Sequence, residues 1–219
     1  MKVAIVLYED FTALDAIGPY EVMSRVPGWE ITFVAAVPGP QNTDAGVTSL
    51  EARASFDEIT EPDIVLVPGG PGSRFAMEHE PTLEWLRRVS PGARWVTSVC
   101  TGSLILAAAG LLNGRRATTH WTNLERLREL GAEPVAERVV IDGNVVTAAG
   151  VSSGIDMALT LVAEATSPEL AEAMQLAIEY DPQPPFDSGS PRTAAAGIVD
   201  VVTQVAAQRD PWLAERLER

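Results

Sequence analysis

Four short runs of nearly unbroken apolar, largely β-branched residues mark the first half of the chain: "KVAIVLY" (2–8), "WEITFVAA" (29–36), "DIVLVPGG" (63–70) and "RWVTSVC" (94–100). Continuous hydrophobicity over that length predicts strands covered on both faces, as in a parallel sheet flanked by helices. Helical spacing lies between them at 13–25, 80–89 and 101–112. Thr122 and Glu125 have the spacing of a capping box, which predicts a helix from there to Leu130. "VVIDGNVVTAAG" places two apolar runs around Asp142-Gly143-Asn144 and reads as a hairpin. Further helices are predicted from Ser153 to Ala165, from a Ser167 cap with Pro168 at the first helical position to Tyr180, and from Thr193 to Ala207.

Alternation of strand and helix predicts an α/β fold with a mostly parallel central sheet sandwiched by helices, formed as one domain over residues 1–219. The stretch "DPQPPFDSGSPR" (181–192) is too rich in proline for regular structure. It reads as a connector, with an arm packed over a partner subunit as the alternative.

Charge narrows the partners. Lys+Arg number 16 against 30 Asp+Glu, a net −14. Phosphate backbones and anionic membrane surfaces repel such a chain, which argues against nucleic acid and lipid. "MKVAIVLYED" reads as a buried strand and not as a signal peptide, and no apolar run has the length of a membrane span. One cysteine cannot form an internal disulfide, so Cys100 is a free thiol, as expected of a cytoplasmic protein.

Cys100 falls where a strand hands over to a helix, the edge at which open α/β sheets bind ligands. The pattern Ser98-x-Cys100-x-Gly102 parallels a nucleophile elbow, with serine where that motif usually has glycine. The amides and dipole of the following helix are expected to favour the thiolate. Free cysteines are often simply buried, but this placement favours a nucleophile. "VPGGPGS" (67–73) follows another strand, and Gly69, Gly70 and Gly72 are expected to offer amides to a developing negative charge. A plain turn is its alternative. Asp15 sits among Leu14, Ala16 and Ile17, an expensive setting for a carboxylate without a task. "AAGVSSGID" (148–156) brings Val151 to a third strand-to-helix joint, as pocket wall. His79 is expected to be exposed, and His120 precedes a helix that it either caps or leaves to approach the site. Thr101, not histidine, follows the cysteine, so Asp15 is the best candidate to handle the thiol proton.

The strand-ending Cys100, "PGG" at 68–70 and an acidic residue on the first helix resemble the DJ-1/PfpI superfamily, over residues 1 to about 190. "LDAIGPYEV", "SVCTGSLILAAAGLLNGRRATTHW", "AAGVSSGIDMAL" and "IEYDPQPPFDSGSP" are similar to its isocyanide hydratase branch. The resemblance implies a flavodoxin-like fold, a homodimer, a small-molecule isocyanide as substrate, and no metal or other cofactor. It also implies catalysis by Cys100 and Asp15 with help from Thr101, a pocket formed by Gly69, Gly70, Gly72 and Val151, and His120 in support behind it. No histidine follows His120 and position 101 is threonine, unlike amidotransferase-like and PfpI-type relatives; Asp15 stands where the human DJ-1 branch has glutamate. A glyoxalase-like enzyme, the sensor half of an AraC-type regulator and an oxidant sensor share parts of the pattern. The regulator reading would require a DNA-binding domain, for which the residues after the arm are too few.

Overall fold

A computed structural model describes residues 1–218. Its strands are β1 (Lys2–Val6), β2 (Glu30–Ala35), β3 (Gly39–Asn42), β4 (Ser49–Ala52), β5 (Ala54–Ser55), β6 (Ile64–Val67), β7 (Trp95–Val99), β8 (Arg116–Ala117), β9 (Glu133–Pro134), β10 (Val139–Asp142) and β11 (Val145–Ala148). Its α-helices are α1 (Ala13–Met23), α2 (Ser73–Ala76), α3 (Glu80–Val89), α4 (Gly102–Ala108), α5 (Leu124–Glu129), α6 (Ser153–Ala165), α7 (Pro168–Ala177), α8 (Ala196–Ala207) and α9 (Pro211–Leu217).

The main sheet has the order β10-β11-β7-β6-β1-β2-β5. Every neighbouring pair is parallel except the β10–β11 hairpin. This is the mostly parallel, helix-flanked α/β sheet expected of a flavodoxin-like fold. Side-chain alternation sends Val3, Ile5 and Leu7 into one core layer with Val22, Met157 and Leu161. Ala4 and Val6 enter the opposite layer with Leu86, Leu104 and Leu106. Each fully buried Val, Leu, Ile or Met side chain among these contributes about 1.5–3 kcal/mol, which is why these strands read as unbroken apolar runs.

Register brings the functional edge together. Val67 pairs with Ser98, and Ala148 pairs with Val99. The carboxyl ends of β6, β7 and β11 therefore finish level, and their loops converge. Helix α1 is held against α6 by close contact at two small residues. An added Cβ on Gly154 would lie 3.1 Å from Pro19 and 3.0 Å from Val99, and one on Gly18 would lie 3.1 Å from Ile155. That contact fixes the helix carrying Asp15.

Several details differ from the sequence expectation. The helix after His120 is not opened by a Thr122 capping box. A 3-10 turn spans Trp121–Asn123, Asn123 is the residue before α5, and no side chain caps it. Thr122 is drawn off by His120, whose Nδ1 lies 2.7 Å from the threonine hydroxyl. Helix α7 ends at Ala177, because Glu179 adopts φ 51. The hairpin β3–β4 and helix α9 were not anticipated. Residues 181–192 have no regular structure, as their prolines require.

Candidate active site

Cys100 occupies the turn between β7 and α4 with φ 56, a left-handed conformation that costs a non-glycine residue about 1–2 kcal/mol. Its N–H donates to the Ala148 carbonyl at 3.0 Å, and its carbonyl accepts from Thr119 Oγ1 at 3.0 Å and Ser103 Oγ at 3.2 Å. Gly102 lets α4 begin against β6: an added Cβ there would lie 2.1 Å from the Val67 carbonyl oxygen. Only 6% of Cys100 is exposed, at the floor of a cavity of about 220 Å³.

Asp15, in the first turn of α1, is fully buried. Gly69 N–H donates to its Oδ2 at 2.9 Å, while Oδ1 is buried without a directed hydrogen bond. The Cys100 thiol interacts with this carboxyl. Burial is the largest influence on Asp15 and raises its pKa to about 7; the Gly69 amide opposes this, Asp44 adds to it, and the thiol opposes it.

The thiol itself is pushed well above the usual range, first by burial and then by Asp15. The Thr101 amide and hydroxyl favour the thiolate but do not outweigh these effects. The sequence expectation that the helix end favours the thiolate holds in direction at the Thr101 amide but is outweighed by burial and Asp15. In the dry site a protonated thiol faces a carboxyl that titrates near neutrality.

The loop after β6 is packed around this pair. An added Cβ on Gly69 would come within 2.5 Å of Thr101 N, 2.8 Å of Thr101 Oγ1 and 2.9 Å of Asp15 Oδ2. Gly70, at φ 134, donates its N–H to Thr101 Oγ1 at 2.9 Å. The Gly72 N–H donates to the Asp10 carbonyl at 3.0 Å. All three glycine amides are thus engaged, so they do not form the free row of donors that the sequence suggested. Gly69 orients the carboxyl, Gly70 orients the Thr101 hydroxyl, and Gly72 lets the loop pass close to Glu9. The amide and hydroxyl that favour charge on the sulfur belong to Thr101, whose hydroxyl also donates to the Gly70 carbonyl at 3.2 Å.

Val151 and His120 line the thiol cavity and also a neighbouring cavity of about 610 Å³, roofed by Gly189–Arg192 of the proline-rich stretch. Burial lowers the His120 pKa, and its Nδ1 is engaged by Thr122. His79 is exposed and bonds Thr82, away from the thiol. Among the described residues no cluster of His, Cys, Asp and Glu is arranged to hold a metal ion.

Sequence reasoning missed three contributors. Tyr8, just past β1, donates to the Pro68 carbonyl at 2.7 Å, and its pKa is raised by burial, Asp15, Cys100 and Asp44. Its place at a strand's carboxyl end was the available signal. Asp44 accepts from Thr12 Oγ1 at 3.0 Å and reaches the site from the loop between β3 and β4. Ala206, Arg209 and Asp210 complete the cavity wall from the C-terminal segment, with Arg126 paired to Asp210 at 3.4 Å.

A parallel sheet with a left-handed cysteine at its edge and a carboxyl beneath it matches one family over most of the chain. Residues 1–164 match the DJ-1/PfpI family, and the protein belongs to it. The chain is 44% identical over 207 residues to the isonitrile hydratase of Pseudomonas putida, covering 94% of this chain and 90% of that protein. It is 32% identical over 165 residues to the HTH-type transcriptional regulator CdhR of Pseudomonas aeruginosa, covering 72% of this chain but only 48% of the regulator. The crystal structure of a ThiJ/PfpI family protein from Pseudomonas syringae superposes with a TM-score of 0.92 at 37% identity, over 97% of this chain and 90% of the other.

Proposed function

We propose that the protein is an isocyanide hydratase, converting R–N≡C and water to the formamide R–NH–CHO. The observation that carries this reading is the buried Asp15–Cys100 pair, in which the carboxyl titrates at about 7 while His120 is engaged elsewhere. The 44% identity to an isonitrile hydratase along nearly the whole chain supports it.

Ionised Asp15 takes the thiol proton as sulfur attacks the terminal isocyanide carbon, then returns that proton to the same carbon. The product is a thioimidate, R–N=CH–S–Cys100. The Thr101 amide and hydroxyl hold the sulfur while its charge develops. Water then adds to the thioimidate carbon, with one proton passing through Asp15 to nitrogen. Expulsion of the sulfur and its reprotonation release the formamide. Two additions at one carbon replace a single difficult hydration, and the carboxyl serves both.

A homodimer fits the surface of α8, where Ile198, Val201, Val202 and Val205 are all exposed and no residue is buried. The free thiol suits a reducing compartment such as the cytoplasm. No described helix is long and apolar enough to cross a membrane.

The test is formamide release from an aryl isocyanide, with Cys100→Ala as control and methylglyoxal as the competing substrate. Formamide from the native protein alone supports the reading; turnover of methylglyoxal without any of the isocyanide ends it.

A further inference from the structure

The chain is strongly acidic, yet three arginines, Arg74, Arg126 and Arg209, line the cavity above Cys100, and Asp210 is the one carboxylate among the lining residues. Burial lowers the His120 pKa, so three guanidiniums against one carboxylate leave the wall with two positive charges in excess, and one in excess when Asp15 beside Cys100 is ionised. Arg126 is committed to the protein: it pairs with Asp210 and lies 5.7 Å from the Trp212 ring. Arg74 is committed only in part. It gives one Nη1 hydrogen bond to the Arg209 carbonyl at 3.2 Å and lies over the Phe75 ring at 4.5 Å, while its Nε is buried without an acceptor. Neither Arg74 nor Arg209 has a carboxylate partner among the described residues.

A purely structural role would be to tie the C-terminal segment over the cavity. Arg126 and the single Arg74 bond accomplish that, and the charges of Arg74 and Arg209 remain without a carboxylate partner among the described residues. Nor is the charge placed to tune the nucleophile, since burial, Asp15 and Thr101 govern the thiol. What remains is a nucleophile and unmatched guanidinium charge lining one small cavity. Guanidinium N–H groups in that setting recognise carboxylates by charge-assisted hydrogen bonds.

We propose that the preferred substrates are isocyanides whose nitrogen substituent carries a carboxylate, held by Arg74 and Arg209 while the terminal carbon faces Cys100. This inference rests on the hydratase reading and specifies its substrate class.

The experiment compares isocyanoacetate and 4-isocyanobenzoate with their methyl esters, following formamide release. The native protein should favour at least one acid over its ester by about tenfold or more in kcat/KM, chiefly through KM, as a modest charge-assisted contact would give. The preference should shrink as salt rises from about 50 to about 500 mM. Arg74→Gln and Arg209→Gln together should bring the ratio close to one. Arg94→Gln, which removes the same charge beside the far end of β7, should not alter it. Equal or better use of both esters, or a preference that survives the double variant, overturns the proposal.

A second measurement separates this from failure of the hydratase reading. In Cys100→Ala, calorimetry should find 4-formamidobenzoate binding more tightly than its methyl ester, with the difference lost in the Arg74→Gln, Arg209→Gln background. If no isocyanide is hydrated, the hydratase reading fails and the substrate assignment with it, while this binding difference decides whether the carboxylate site exists. Equal binding of acid and ester rejects that site.

Discussion

The amide of Gly69 donates to Asp15 Oδ2 at 2.9 Å across 54 positions of sequence, joining the loop after β6 to the first turn of α1. This contact fixes one carboxyl oxygen and leaves Oδ1 for whatever reacts. It also requires glycine, because a side chain at position 69 would occupy the space held by Asp15 and Thr101. A proton acceptor, its orienting donor and the threonine beside the nucleophile therefore share one packing constraint.

The first expected outcome concerns pH. If ionised Asp15 accepts the thiol proton, kcat/KM should rise with pH through a limb centred near 7, where burial has placed the carboxyl. Asp15→Asn should lose at least about a hundredfold in kcat/KM and lack this limb. A full pH–rate series on both proteins checks it, and a limb that persists in Asp15→Asn would assign the titration to another group.

Folding stability should show the same group with the opposite sign. Because the folded pKa is raised from 3.8 to about 7, the folded state binds the proton more tightly than the unfolded state. Asp15 is then least unfavourable below pH 4, and stability falls as pH rises through 7. At 1.36 kcal/mol per unit the effect approaches about 4 kcal/mol at full ionisation, an upper bound. Asn retains an acceptor for Gly69 without the charge, so Asp15→Asn should gain stability over the native protein on going from pH 4 to pH 8. Urea titrations at both pH values measure the difference.

Gly69→Ala should damage the site by geometry alone. Its Cβ would meet backbone, at 2.5 Å from Thr101 N, and the carboxyl it is meant to orient. A stability loss of about 1–3 kcal/mol is expected together with a fall in kcat of about a hundredfold or more. Thermal unfolding and single-turnover kinetics separate the two effects.

His120 provides the contrasting substitution. It borders the cavity, but Thr122 engages its Nδ1 and burial lowers its pKa. His120→Asn should lower kcat by no more than about fivefold, well short of the 10²–10⁴-fold expected on removing a general base. A loss as large as that of Asp15→Asn would transfer the proton to the imidazole.

Much of the framework could be read directly from residue pattern. The apolar runs at 2–8, 63–70 and 94–100 correspond to strands buried on both faces, and Cys100 lies at the joint they imply. The strand β3 ("GPQN") has no apolar pattern, and β4 ("SLEA") alternates over only four residues, too short a stretch to stand out. Helix α9 did carry a signal: Asp210 accepts from Trp212 N–H at 3.1 Å and Pro211 fills the first helical position, a start pattern overlooked in "DPWLAERLER". At the site, residue types were legible but the assignment of donors was not. Which amide meets which oxygen depends on how loops from three strands settle against each other, and that lies outside any local pattern. The balance at the thiol was not legible, because proximity to a helix end is visible in sequence, whereas the degree of burial that outweighs it is a product of packing.

The left-handed backbone at Cys100 has a consequence for engineering. Glycine would relax there more readily than any residue bearing a Cβ. A stability-guided search that ranks substitutions by backbone comfort would therefore be drawn to the very position whose side chain gives the protein its proposed chemistry. Thermostabilised descendants of this scaffold should be screened for turnover from the first round, because at this turn robustness and competence pull apart.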